Sequence, residues 1–305
     1  MTRETFAESE ENKQPPINSP RSINMNGQWS APTTGPYKYD LGPCAVVNKG
    51  QIQVLQHFKR VGPVINHDVV FCNGTSIQEK HTRLLRNVVI EPKTRFSAIA
   101  YQNILYCFYL NNQRQIKGVQ VYGKDDYERM PELGVVAADR PAIAVYKDSL
   151  FMVFQGAENG QIWYKVFDVN GWHDHILIKG PLMAYAPSLA VYNDKLYCVF
   201  HGYNDNSIWY MTYEAGGWSQ HRRTSMTADG SPSLCIHNDR LYCAYVGQGT
   251  GELSVSFLFA DEWVGHERLQ GHRTTQGPDL ASFNGALHCF YLKDELLNCT
   301  SNKHL

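Results

Sequence analysis

Hydrophobic and polar positions recur along this chain in units about as long as a small supersecondary motif. Four segments align without gaps: PAIAVYKDSLFMVFQG from Pro141, PSLAVYNDKLYCVFHG from Pro187, PSLCIHNDRLYCAYVG from Pro232 and PDLASFNGALHCFYLK from Pro278. A fifth starts at Phe96 and a weaker sixth at Pro43. The ninth residue after each start is aliphatic (Ile52, Leu105, Leu150, Leu196, Leu241, Leu287), and two further on stands Val54, Cys107, Met152, Cys198, Cys243 or Cys289. Each unit reads as four short strands. A small apolar strand leads into a tight turn of Asn, Asp or Gly, residues that tolerate the positive φ of hairpins. An aromatic-rich second strand follows, then a third of the kind Ile-Trp-Tyr-Met-Thr-Tyr. The fourth opens on an aromatic residue: Tyr127, Trp172, Trp218 or Trp263. Four strands per unit at this period is the signature of propeller blades. The pattern predicts an all-β, six-bladed β-propeller with blade starts near residues 43, 96, 141, 187, 232 and 278.

The last unit is too short for a fourth strand. Gly27-Gln28-Trp29-Ser30 resembles Gly217-Trp218-Ser219, and Trp29 stands 14 residues before Pro43, as Tyr127 does before Pro141. Residues 27–35 are therefore expected to complete the blade begun at Pro278. That closes the ring without an open edge and makes 23–305 one domain. Residues 1–22, polar and rich in Glu, Ser, Asn and Pro, read as a disordered tail.

Composition narrows the function. A net charge of −1 supplies no basic field for nucleic acid. No apolar run is long enough to span a bilayer, so neither nucleic acid nor membrane is expected as a partner. The N-terminal residues lack an apolar signal core, which predicts a cytoplasmic chain. Four of the eight cysteines share one second-strand position, Cys107, Cys198, Cys243 and Cys289. Equivalent positions in different blades lie too far apart to pair, so these read as buried free thiols. Asn73-Gly-Thr and Asn298-Cys-Thr match glycosylation acceptors by chance.

The chain carries no nucleophile elbow, phosphate-binding glycine loop, HExxH or paired CxxC. The reading is of a non-enzymatic binding protein without metal or cofactor. His173 and His175 share a strand face as metal ligands do, but His173, His175, His221-Arg222-Arg223 and His266-Glu267-Arg268 read together as a polar outer rim.

The pairs Trp163-Tyr164 and Trp209-Tyr210 on the third strands are the first candidate ligand residues. The unit NSIWYMTYEAGGWS resembles the blades of propeller lectins of the fucose-binding fungal and bacterial group. The resemblance covers blades 3 and 4 well, blade 5 in part and blades 1, 2 and 6 in outline. It implies carbohydrate binding in clefts between adjacent blades, a sugar's C–H face on an indole and its hydroxyls on polar groups. The six-bladed fungal members carry a third-strand Arg and Glu for those hydroxyls; here that pair is absent. In place of Ile-Trp-Tyr, the other blades offer Lys117-Gly118-Val119, Leu253-Ser254-Val255 and Asn298-Cys299-Thr300. The tryptophans are then either sugar platforms in few, degenerate sites or inter-blade packing. The alternative site is one asymmetric pocket in the central funnel, lined by Tyr109, Arg140, Tyr185, His201, Asp229 and Tyr245. It would serve an enzyme or small-molecule binder of the kind some fungal biosynthetic pathways build on propellers. The long blade 1 loop, His57-Phe58-Lys59-Arg60 to Asn66-His67-Asp68, would cover its mouth.

Overall fold

The computed structural model of the chain describes residues 29–57, 67–72, 77–79, 95–123 and 126–305. The expected tail at 1–22 and most of the long blade 1 loop lie outside them. Every regular element among the described residues is a β-strand, and the strands form a propeller of antiparallel sheets. Five sheets use consecutive strands, over 44–79, 97–129, 142–182, 188–227 and 233–273; they are called blades 1 to 5. Counted as contiguous units the blades thus number five rather than six. The remaining sheet is composite: Thr33–Lys38 pairs with Leu296–Asn302, followed by Ala286–Lys293 and Asp279–Phe283. Ser30 adds a backbone bond to Ser301 O at 2.9 Å, and Thr300 Oγ1 donates to Ser30 O at 2.7 Å.

The inner strands touch one another in a closed circuit. Cys44–Asn48 meets Ser97–Tyr101, then in turn Ala142–Tyr146, Ser188–Tyr192, Ser233–His237 and Asp279–Phe283, which returns to Cys44–Asn48. Two-residue turns with both central φ angles positive join inner and second strands at Gln102-Asn103, Lys147-Asp148, Asn193-Asp194 and Asn238-Asp239. That mirror-image turn matches the strands' own twist. The second strands are buried on both faces because a blade lies against each side, so they read as continuous apolar runs. Leu150, Leu196, Leu241 and Leu287 are fully buried there, as are Met152, Cys198, Cys243 and Cys289. Cys44, Cys107, Cys198, Cys235, Cys243, Cys289 and Cys299 are free thiols.

The outer strands depart from the simple repeat. In blade 3 Gly171–Trp172 pairs with the third strand, the chain leaves it, and Ile176–Leu182 rejoins. Blade 4 repeats this with Gly217–Trp218 and Arg222–Thr227. In blade 5 the outer strand Glu262–Arg273 is continuous but shifts register between its partners Val255 and Phe257. Such irregularities re-aim a side chain. Here each falls at the third residue after the outer tryptophan, and that residue is His175, His221 or His266.

Candidate functional site

On the third strand of blade 3, Gln161–Asp168, Trp163 stands between Phe154 of the second strand and Leu177 of the outer one. Trp209 occupies the same place in blade 4, between Phe200 and Arg223. Each half-buried indole faces the connector leaving the previous blade and walls a cleft. The first cleft, about 280 Å³, is bounded by Val136, Gly156, Glu158, Asn159, Trp163 and His175. The second, about 230 Å³, has Leu182, Gly202, Asn204, Asp205, Trp209 and His221 in the corresponding places. Val136 and Leu182 are 48% and 41% exposed, large values for apolar side chains.

The glycine ending each second strand makes room for the indole. A Cβ on Gly156 would sit 3.1 Å from Trp163 Nε1, and one on Gly202 2.8 Å from Trp209 Nε1. Each indole is met by the histidine from the irregular outer strand: His175 at 5.0 Å and 59° from Trp163, His221 at 5.2 Å and 52° from Trp209. The polar edges differ. Trp209 Nε1 donates to Asp205 Oδ2 at 3.0 Å. Asn159 Oδ1 accepts the Gln161 amide at 3.2 Å, as Asp205 Oδ1 accepts that of Ser207 at 3.2 Å, so among the described residues only the indole bond sets the second cleft apart.

Successive strand residues face opposite ways, so the tyrosines beside these tryptophans point elsewhere. Tyr164 lines a separate cleft of about 430 Å³ at the boundary with blade 4, with Tyr146, Phe151, Val166 and Tyr213. Tyr210 is core: it is 8% exposed, its hydroxyl donates to Asp261 O at 3.0 Å, and its ring meets Trp263 edge-on. His173 and His175 also separate. His173 lies 2.8 Å from Asp168, whose carboxyl is held low by the Asn170 amide and by His173. No group of three metal-ligating side chains occurs among the described residues.

The six funnel candidates are spread over separate contacts. Arg140 is buried and donates to Phe96 O at 3.2 Å. The buried His201 ring lies between Gly202 O and Ala228 O, each at 2.8 Å. It is an inter-blade clamp, as is Gln155 at the same position of blade 3, which donates to Met183 O at 2.7 Å. Tyr185 packs edge-on against His201 and is exposed. Asp229 accepts the Gly249 amide at 2.6 Å. Tyr109 is buried in the core between blades 1 and 2, and Tyr245 is buried with its hydroxyl 3.4 Å from His266.

Strand pairing also corrects which residues replace the tryptophan. Lys117, Ser254 and Asn298 lie opposite Tyr109, Tyr245 and Tyr291, where Trp163 lies opposite Phe154. In blade 2 and the composite blade that is one residue away from the middle of the triplet that counting along the sequence selects. The loops before those third strands are shorter. The site residues that the sequence reading assigned to the rim are His175 and His221. Their signal was available: Trp-x-x-His recurs at Trp172, Trp218 and Trp263.

The sequence matches no protein-family model and no curated protein. Its fold is that of fungal propeller lectins and their relatives. AofleA from Arthrobotrys oligospora superposes with a TM-score of 0.68 at 12% identity, over 92% of this chain and 88% of that one. The Aleuria aurantia lectin, described as a six-bladed β-propeller with a novel mode of fucose recognition, superposes at 0.66 with 10% identity, over 87% and 93%. An α-L-arabinofuranosidase from Clostridium thermocellum is also similar, at 0.52 and 12% identity, over 76% and 93%. The same architecture thus serves lectins and a glycosidase, and function has to be argued from the clefts.

Proposed function

We propose that the chain is a carbohydrate-binding propeller, six-bladed when the composite sheet is counted, with two related sites at the entries to blades 3 and 4. The observation that carries this reading is the duplicated cleft. An indole wall, an exposed aliphatic wall from the neighbouring blade and an imidazole recur 46 residues apart, Trp163 to Trp209. An indole facing an aliphatic side chain suits the C–H face of a sugar, while Glu158, Asn159, Asn204 and Asp205 offer hydroxyl partners. No Lys or Arg lines either cleft, so the reading is of a neutral sugar. Fucosides, bound by the Aleuria aurantia lectin in its complexes, are the first probes.

The test is a glycan array followed by titration of the strongest hit against wild type, Trp163→Ala and Trp209→Ala. Losing a stacking platform removes about 0.5–1.5 kcal/mol beyond area burial, so each variant should lose roughly tenfold affinity at its own cleft. Binding that survives the double variant unchanged, or an array on which wild type binds nothing, defeats the proposal.

A further inference from the structure

At the residue before each inner strand's leading position the repeat offers Gly42, Arg95, Arg140, Ala186, Ser231 and Gly277. Two long cations thus stand among four small residues, at the end of the ring axis where the inner strands begin. Arg95 belongs to blade 2, yet its Nη2 donates to Pro43 O at blade 1 and reaches Pro278 O at the composite blade, at 3.0 and 3.5 Å. Blade 1 stands between blade 2 and the composite blade, so the Arg95 side chain reaches past the start of blade 1. The glycines permit it: a Cβ on Gly42 would lie 3.0 Å from Arg95 Nε, and one on Gly277 2.9 Å from its Nη1. Arg140 donates through Nη1 to Phe96 O, one residue beyond Arg95. The two arginines are 8% and 7% exposed.

Two carboxylates are near, and each of their oxygens already accepts one hydrogen bond. Asp139 accepts the Arg140 and Ala186 amides at 2.7 and 3.2 Å. Asp279 accepts the Ser233 hydroxyl at 2.7 Å and the Ala45 amide at 2.8 Å. Neither forms an ion pair with either arginine among the described residues. Both Nε groups are buried without a partner, and among the described residues no hydrogen bond from Arg95 Nη1 or Arg140 Nη2 occurs. Buried cations short of acceptors are costly. Burial, and then the Arg140 charge, push the Arg95 guanidinium down to about 10.

We propose that the axis end binds one small oxyanion between the Arg95 and Arg140 guanidiniums. A carboxylate or phosphate group presents acceptor pairs that match the guanidinium fork. A ligand held only by the closed ring also stabilises it by mass action. This site is separate from the sugar clefts and stands or falls without them.

The experiment uses the full chain in isothermal titration with sodium phosphate and with sodium acetate, against sodium chloride at matched ionic strength. Thermal unfolding is followed in the same buffers. The expected result is saturable binding of one oxyanion per chain with a matching rise in Tm, and the two arms tell phosphate from carboxylate. Arg140→Gln should lose at least tenfold in affinity and the Tm rise with it. If that variant does not fold, Arg140→Lys keeps the charge but loses the fork and should still bind more weakly than wild type. No saturable heat with either anion overturns the proposal and leaves channel water only. An equal Tm rise in chloride or in the Arg140 variants overturns it too, since general exclusion of salts from the surface would then explain the effect.

Discussion

In blades 3 and 4 the histidine three residues past the outer tryptophan meets an indole and leaves a cleft beside it. In blade 5 the same histidine, His266, has no indole to meet: Ser254 stands at that position. The aliphatic wall is gone as well, since Thr227 takes the place of Val136 and Leu182. His266 adopts a φ of 24° and satisfies itself internally. Its Nε2 lies 2.8 Å from the Ser225 hydroxyl and its Nδ1 2.8 Å from that of Ser256. Desolvation holds its pKa below the usual imidazole range. One motif therefore yields an open aromatic cleft or a closed hydroxyl network, and the third-strand residue decides which. An indole is a platform that a ligand can share, whereas in blade 5 the histidine is taken up by the hydroxyls of Ser225 and of Ser256, two residues past the tryptophan position.

The largest effect should come from the composite side of the ring. Deleting residues 1–38 removes Thr33–Lys38 and leaves Leu296–Asn302 as an unpaired edge. Trp29, packed against the core shared by blade 5 and the composite blade, goes with it. Thermal melting by circular dichroism should show loss of the cooperative transition or a fall of more than 10 °C, about 2–4 °C being the shift per kcal/mol for domains of 150–250 residues. Deleting residues 1–20 should leave the melt unchanged. Equal melting of the two truncations would show that closure of the ring does not depend on that strand.

Next is a contrast between neighbours on the blade 3 and 4 strands. Tyr210 is core and Trp163 is half open. Tyr210→Ala should cost about 3–5 kcal/mol, the range for a fully buried large aromatic. Trp163→Ala should cost well under half of that. Urea midpoints of the two variants measure this directly. Equal losses would make Trp163 a packing residue and weaken the case for its cleft.

Much of this geometry could be read from the sequence, and the failures have a common cause. The aliphatic and cysteine positions of the second strands fixed the core because burial on both faces leaves no freedom in residue type. The tight turns followed from Asn193-Asp194 and Asn238-Asp239 for the same steric reason. Side-chain facing on the third strands was lost because two adjacent aromatics, Trp209 and Tyr210, look alike in a pattern of apolar residues. Strand pairing puts one on a cleft and the other in the core. The roles of His175 and His221 were hidden because they lie where the outer strand leaves its ladder, and period-two reasoning does not survive an irregular strand. Arg140, placed in the funnel by sequence, donates to Phe96 O at the start of blade 2. Its companion Arg95 was missed because it precedes a blade start that lacks the proline.

A smaller effect separates the two sides of the ring by pH. His237, His272 and His288, in blade 5 and the composite blade, have imidazole pKa values lowered chiefly by burial. A histidine whose folded pKa lies below its unfolded value near 6.5 binds protons more readily unfolded. Its contribution to stability is then complete above about pH 6.5 and is lost as the pH falls below that value. The urea midpoint should drop between pH 7.5 and pH 5.5, and His288→Gln should flatten the drop. An unchanged midpoint would mean that these rings take up no extra protons on unfolding.

The smallest expected effect tests the closed network itself. Ser256 is fully buried on the third strand of blade 5, and its hydroxyl is the nearest group to His266 Nδ1. The Tyr245 hydroxyl lies farther from that nitrogen, at 3.4 Å. Ser256→Ala removes the shorter contact while keeping the strand, so it should cost about 0.5–1.5 kcal/mol, the net worth of one such hydrogen bond. The imidazole resonances should report more than the stability does. With that shorter contact gone, His266 keeps Ser225 and the longer Tyr245 contact, and its titration should move up toward that of an ordinary exposed histidine. If His266 titrates unchanged in Ser256→Ala, the hydroxyl contact does not hold the ring inward. The difference between blade 5 and blades 3 and 4 would then have to come from the backbone shift opposite Val255 and Phe257 rather than from the Ser256 hydroxyl.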